Sequence, residues 1–167
     1  MPEWIKDVVF YQIFPERFYN GDKSNDPPTV EEWGNKPKRR NFFGGDLWGI
    51  QEKLTYLEDL GVHAIYLTPI FEAPSNHKYD TADYLKVDSH FGDLHTLRGL
   101  GKKVHERGIR LILDGVFNHS GDRFWAFKDV AKKGSSSHYS AWYFVKTFPV
   151  KKWPNPKRGR LVDIIYF

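Results

Sequence analysis

Residues 108–119 read GIRLILDGVFNH. The apolar run at 109–113 predicts a buried strand, extending to about 117, that delivers an acid, an amide and an imidazole (Asp114, Asn118 and His119) to its carboxyl end. Enzymes built on parallel strand–helix units hold their chemistry at that end. A strand-ending turn collects Asp, Gly, Asn and His for purely conformational reasons too. Taken alone, the hexapeptide DGVFNH at 114–119 favours the plain turn, so its surroundings decide.

Working outward, residues 94–107 predict a helix that Asp93 caps, with Leu97, Leu100 and Val104 as the buried stripe and Gly108 as the stop. Before it, VHAIYLTPI at 62–70 is almost continuously apolar, as a strand covered on both faces would be. Apolar residues at 47, 50, 54, 57 and 60 share one helical face, between a capping Asp46 and a terminating Gly61. A further strand is predicted at 8–14 (VVFYQIF), ending at Pro15 and followed by a long polar loop over 16–45. Strand–helix alternation implies parallel pairing with right-handed crossovers. A doubly wound sheet and a closed eight-stranded barrel both satisfy it. No G-x-G-x-x-G follows any strand, which weakens the dinucleotide-binding version. A closed barrel needs ~250 residues, so a chain of 167 holds three of the eight units at most. Past His119 the alternation lapses, with a short helix expected at 124–133.

Composition narrows the function classes. With no cysteine there is no disulfide and no thiolate chemistry. No apolar run approaches the ~20 residues of a membrane span, and the N-terminus lacks signal-peptide blocks, so no membrane role and a cytoplasmic location are expected. The net charge of +4 gathers in KPKRR at 36–40 and KKWPNPKRGR at 151–160. No helix-turn-helix, zinc ligands or RNA-binding aromatic motif accompanies these runs, so they read as solvated loops and no nucleic-acid partner is expected. The 6 Trp, 9 Tyr and 13 Phe suit either an aromatic core or a cleft offering flat faces to a sugar.

Five stretches, YQIFPERF at 11–18, GGDLWGI at 44–50, IYLTPIFEAPSNHKYDTADY at 65–84, HFGD at 90–93 and DGVFNH at 114–119, carry a resemblance. In order and spacing, from about residue 4 to about residue 156, the chain resembles the α-amylase family of glycoside hydrolases, nearest its cyclomaltodextrinase, neopullulanase and maltogenic amylase branch. The resemblance implies an α/β fold, a partial (β/α)8 TIM barrel. Its first three strand–helix units would occupy 1–119, and the start of the loop domain after strand 3, with a divergent tail, 120–167. It also implies retaining cleavage of α-1,4-glucosidic bonds in cyclodextrin, pullulan or maltooligosaccharides. By resemblance Tyr79 would stack on the sugar and His119 would hydrogen-bond its hydroxyls. Asp114 would organise the site floor, Asp80 would hold the Tyr79 loop, and Asn118 would support from behind, with His77 and Tyr84 as lesser candidates. An acid at the end of a buried strand is costly unless paired, so Asp114 should have partners.

The loop NGDKSND at 20–26 packs Asn20, Asp22, Asn25 and Asp26 into seven residues. Hard cations take six to eight oxygen ligands, but spacing alone favours a solvated Asx-rich turn. The resemblance shifts the reading to a Ca2+ site completed by the Gly44 carbonyl and Asp46, the latter also readable as a plain helix cap.

Retaining hydrolysis needs a nucleophilic carboxylate and an acid ~5–5.5 Å apart. By resemblance both follow later strands, so no catalytic residue is expected within this chain. It reads as the N-terminal part of an α-glucan hydrolase, shortened by truncation, frameshift or a deliberate cut, and inactive alone. The alternative is a non-catalytic carbohydrate- or calcium-binding remnant. Open sheet edges would favour self-association.

Overall fold

The computed structural model describes residues 2–145 and 147–150. The basic run 151–160 and the rest of the divergent tail lie outside the described residues. Five strands are present among those described: β1 (Phe10–Ile13), β2 (Ala64–Leu67), β3 (Phe71–Glu72), β4 (Asp83–Val87) and β5 (Arg110–Leu113). The α-helices are α1 (Leu47–Glu52), α2 (Leu54–Asp59), α3 (Leu94–Glu106) and α4 (Trp125–Lys133).

β1, β2 and β5 form one parallel sheet in that order. Phe10 lies opposite Ala64, and Ala64 opposite Arg110, in an unbroken four-residue register. The strands are shorter than the apolar runs. At the entrance, the Val9 N–H donates to the His63 ring Nδ1 at 3.1 Å instead of joining the ladder. At the exit, Pro15 and Pro69 have no N–H to continue it. β2, in the middle, is covered on both faces: Ala64, Ile65 and Leu67 are fully buried. β5 departs from the expected buried strand, with Leu113 39 % exposed. The reason is its position, because among the described residues nothing pairs with its outer edge.

The helices pack on the sheet through one apolar cluster that includes Ile13, Leu47, Ile50, Leu54, Leu57, Ile65, Leu67, Leu100 and Val104. The single helix expected over 47–60 is two. At the break the Lys53 N–H is shared between the Gly49 and Ile50 carbonyls, each at 3.2 Å, a tightened turn that keeps Leu47, Ile50, Leu54 and Leu57 buried, whereas Leu60, past the end of α2, is exposed. α3 keeps its predicted start. Asp93 Oδ1 accepts from the Thr96 N–H at 2.8 Å, and the Thr96 hydroxyl answers the Asp93 N–H at 3.4 Å, forming a capping box. Gly61 and Gly108 leave their helices at φ 76° and 69°, a conformation that suits a residue without Cβ.

β3 and β4, which the sequence reading did not foresee, pair antiparallel with an irregular register beside the main sheet. They anchor the loop 73–82. α4 opens a second apolar cluster of Phe124, Ala126, Phe127, Val130 and Tyr143, against which Tyr84 of β4 also packs.

Candidate functional site

Past the carboxyl ends of the parallel strands, three elements converge on Asp114. Its Oδ2 accepts from the Tyr66 hydroxyl at 2.6 Å and from the Tyr79 hydroxyl at 2.9 Å. Tyr66 comes from β2, where it stands opposite Ile112. Asp114 lies two residues beyond Ile112, so strand alternation puts it on the face Tyr66 occupies. The acid that the sequence required to be partnered has two phenols. Tyr66 was not among the sequence candidates, although this register argument would have found it.

Tyr79 arrives on the loop between β3 and β4. The residue is 37 % exposed while its hydroxyl reaches Asp114. Burial of that hydroxyl, then the hydrogen bond to Asp114 and the charge behind it, push the phenol up to about 12. Tyr66 is raised as well, first through its own bond to Asp114. The His119 Nε2 sits 3.0 Å from the Tyr79 carbonyl. A carbonyl only accepts, so Nε2 carries the proton in this contact. The Tyr84 hydroxyl lies 2.8 and 2.7 Å from the Val116 and His119 carbonyls and braces the backbone there.

Asp80 faces back into its own loop, where its carboxylate accepts from the Ser75 hydroxyl. His77 Nδ1 accepts from the Tyr79 N–H at 3.1 Å. Asn118 is exposed and stays apart from the group. Thus Tyr79, His119 and Asp114 come together, Asp80 supports from within the loop, and Asn118 does not join. The cluster offers an aromatic face, an imidazole and a tethered acid. Such a set can hold and orient a hydroxylated ring. Asp114 is the one carboxylate at its centre among the described residues.

The oxygen-rich loop lies at the start of α1. Asp46 is fully buried and receives four donors. Its Oδ1 accepts from the N–H groups of Gly49 at 2.6 Å and Gly21 at 3.1 Å. Its Oδ2 accepts from the Asp22 N–H at 2.9 Å and the Asn25 amide at 3.0 Å. Burial pushes the Asp46 carboxyl up, against these donors. Asn20 Nδ2 donates to Asp26 Oδ1 at 2.7 Å. The amide oxygens of Asn20 and Asn25 are both buried with no hydrogen-bond partner. Gly44, at φ 76°, presses against this pair: a Cβ there would stand 2.5 Å from Asn20 Nδ2 and inside contact of Asp26 Oδ1. Asp22 Oδ1 accepts from the Ser24 hydroxyl and N–H, which hold its carboxyl below the usual value. Among the described residues no three His, Cys, Asp or Glu side chains gather as a metal cluster. Any ion here would therefore depend on amide and carbonyl oxygens as well.

The fold has known counterparts. The chain is 59 % identical over 153 residues to neopullulanase 2 of Thermoactinomyces vulgaris, covering 90 % of this chain and 26 % of that protein. It is 55 % identical over 150 residues to the intracellular maltogenic amylase of Bacillus subtilis, covering 89 % of this chain and 26 % of that one. The chain thus spans about a quarter of the length of these curated relatives. Among solved structures, the cyclic α-maltosyl-(1→6)-maltose hydrolase of Arthrobacter globiformis in complex with maltose superposes with a TM-score of 0.89 at 48 % identity, over 99 % of this chain and 38 % of that one. These matches make the three parallel strands the opening part of a (β/α)8 barrel. A family profile described as "Alpha amylase, catalytic domain" matches residues 12–161, and the chain belongs to the α-amylase family of glycoside hydrolases.

Proposed function

We propose that this chain is the N-terminal part of a retaining α-glucan hydrolase acting on α-1,4 bonds of cyclodextrin, pullulan or maltooligosaccharides. Tyr79 and His119 take the sugar and Asp114 fixes the floor beneath it. The observation that carries the reading is the convergence of these three residues past the carboxyl ends of the strands. The exposed Tyr79 ring supplies a flat face, and burying a sugar's apolar side on it requires no directional bond. The unprotonated ring nitrogen of a neutral His119 remains able to accept from a sugar hydroxyl.

Alone, the 167-residue chain holds sugar without cleaving it. Asp114 is occupied by two phenols and Asp80 by Ser75. An oxocarbenium-like transition state needs two carboxylates flanking the bond. A reducing-sugar assay on cyclodextrin and pullulan should show no turnover by the purified chain. Turnover that co-purifies with the chain and disappears in His119→Ala would refute inactivity. If the chain binds sugar but gains no activity when the rest of a relative's barrel is supplied, the non-catalytic remnant is the better reading.

The same proposal assigns Asn20, Asp22, Asn25, Asp26, Asp46 and the Gly44 carbonyl to Ca2+. The support is the two buried amide oxygens without partners. Turning the Asn20 and Asn25 amides by half a turn would exchange a donor for an oxygen beside Asp26 and Asp46, where a cation favours an acceptor. The ion would tie the loop to the start of α1. Calorimetry should show binding that Asp22→Ala abolishes, and a folded chain that binds no Ca2+ would end the assignment.

Two further parts of the reading concern surroundings. The outer edges of β1 and β5 are unpaired among the described residues, which favours self-association through them. Sedimentation showing a monomer at every concentration would count against it. A cytoplasmic location is supported by the intracellular relative. Among the described residues no helix is long and apolar enough to cross a membrane. Cell fractionation decides where the protein resides.

A further inference from the structure

The residue before Tyr79 is a lysine with almost no exposure. Lys78 is 1 % exposed, and its backbone is left-handed at φ 60°. A residue with a Cβ rarely takes that conformation unless its surroundings impose it. Its Nζ lies 2.7 Å from Asp88 Oδ2, 3.1 Å from the Ala73 carbonyl and 5.2 Å from the centre of the Phe91 ring. Asp88, 3 % exposed, also accepts from the Ala73 N–H at 3.1 Å through Oδ2 and from the His90 N–H at 3.1 Å through Oδ1. The His90 ring Nδ1 stands 3.2 Å from the same Oδ1. Around Lys78 the backbone is bracketed too: its N–H donates to the Ser75 hydroxyl at 3.1 Å, and the Thr81 hydroxyl donates to its carbonyl at 3.3 Å.

Taking an ammonium and a carboxylate out of water is expensive, and well-packed apolar side chains often replace such a pair without loss of stability. Stability alone therefore gives a poor account of a buried lysine here. Location gives a better one. The ion pair attaches the middle of the loop 73–81 to the turn at 88–91, while the Ala73 N–H attaches the start of the loop to the same carboxylate. The left-handed turn at Lys78 then sends consecutive side chains in opposite senses, with Lys78 inward and Tyr79 out toward Asp114.

We propose that the buried Lys78–Asp88 pair is a positioning device for the sugar site, fixing the loop so that the Tyr79 hydroxyl meets Asp114 and the Tyr79 carbonyl meets His119. Lys78 and Asp88 touch no sugar; they act through Tyr79. The consequence for binding rests on the proposed sugar role of Tyr79, whereas the placement of Tyr79 is measurable without sugar.

The test uses the full 167-residue chain with ring-labelled tyrosine, the Tyr79 signal being assigned by its loss in Tyr79→Phe. In the unmodified chain Asp114→Asn shifts that signal, because the phenol loses its charged acceptor. In Lys78→Met/Asp88→Asn, folded by circular dichroism, the signal should move to that of a solvent-facing tyrosine, and adding Asp114→Asn should no longer shift it. A merely structural pair would lower the melting temperature and leave the Asp114→Asn shift intact, and that result overturns the proposal. Leu100→Ala, which weakens the helix core, provides the comparison: lower stability with the Tyr79 signal in place. If the double variant does not fold, Lys78→Gln, which keeps a donor for the Ala73 carbonyl, is read by the same criterion. In a parallel titration with maltotriose, affinity should fall about tenfold in the double variant. If the unmodified chain binds no maltotriose, the sugar reading fails while the Tyr79 signal still decides the positioning role.

Discussion

Gly49 should refuse a methyl group that a helix position would ordinarily welcome. It lies inside α1, where alanine is favoured over glycine by ~1 kcal/mol on propensity alone. Its surroundings oppose this. A Cβ on Gly49 would stand 2.6 Å from the Tyr19 carbonyl carbon, inside contact of the Tyr19 oxygen, and 3.1 Å from the Gly21 N–H nitrogen. All three are backbone atoms, and the Tyr19 carbonyl is already bonded by the Asp46 N–H at 3.1 Å, so the loop cannot turn a side chain aside. Overpacking costs ~1–3 kcal/mol and sometimes more. With the overlap on backbone we take the upper end, leaving a net loss of about 2 kcal/mol after the propensity gain. For a domain of this size that corresponds to a fall in melting temperature of ~4–8 °C. Gly101, in α3, has nothing within 4 Å of where a Cβ would stand and serves as the opposite case. Gly101→Ala should raise the melting temperature by ~2–4 °C. Circular dichroism melts of the two variants beside the parent would settle it. If Gly49→Ala melts at or above the parent, the close approach of the loop to α1 is wrong.

Asp114→Asn should bring the Tyr79 phenol down from about 12 toward the ordinary value of 10, without reaching it, because burial contributes independently of the charge. A tyrosinate absorbance titration, differenced against Tyr79→Phe, reads this, and an unmoved midpoint would refute the contact. The Asp93 carboxyl is held below its ordinary value of 3.8 by the Thr96 N–H and hydroxyl. Its stabilising contribution is thus present above the unfolded value and lost as pH falls through the folded one. The melting difference between the parent and Asp93→Ala should therefore shrink on acidification below about pH 4; a difference independent of pH would show that the cap carries no charge effect.

The main sheet and α3 were legible because local signals agreed there. The run 62–70 has room only for a covered strand, and the Asp93 cap, the Leu100–Val104 stripe and Gly108 all mark one helix. Asp46 was legible as a cap, and its Oδ1 does accept from the Gly49 N–H. Other features depend on distant partners. The break at Lys53 lies within an uninterrupted apolar period and leaves no mark in it. β3 and β4 are short, and their pairing across residues 71–87 has no turn signature. A lysine between a histidine and a tyrosine reads as solvated, and only Asp88, ten residues on, makes its burial tolerable. Tyr66 was hidden because its role requires knowing the register of β2 against β5.

Tyr84 has a consequence for where this molecule can be divided. Its hydroxyl braces the backbone at Val116 and His119, while its ring meets Phe124 edge-on at a centroid distance of 5.3 Å and stacks near Phe117 at 6.3 Å. The point after His119, where strand–helix alternation stops, looks like a seam in the sequence. Severing the chain there would strip Tyr84 of its Phe124 neighbour and leave one side of the ring facing water, on the residue whose hydroxyl braces the His119 backbone. Any dissection meant to retain the environment of His119 has to carry α4 along with the strands.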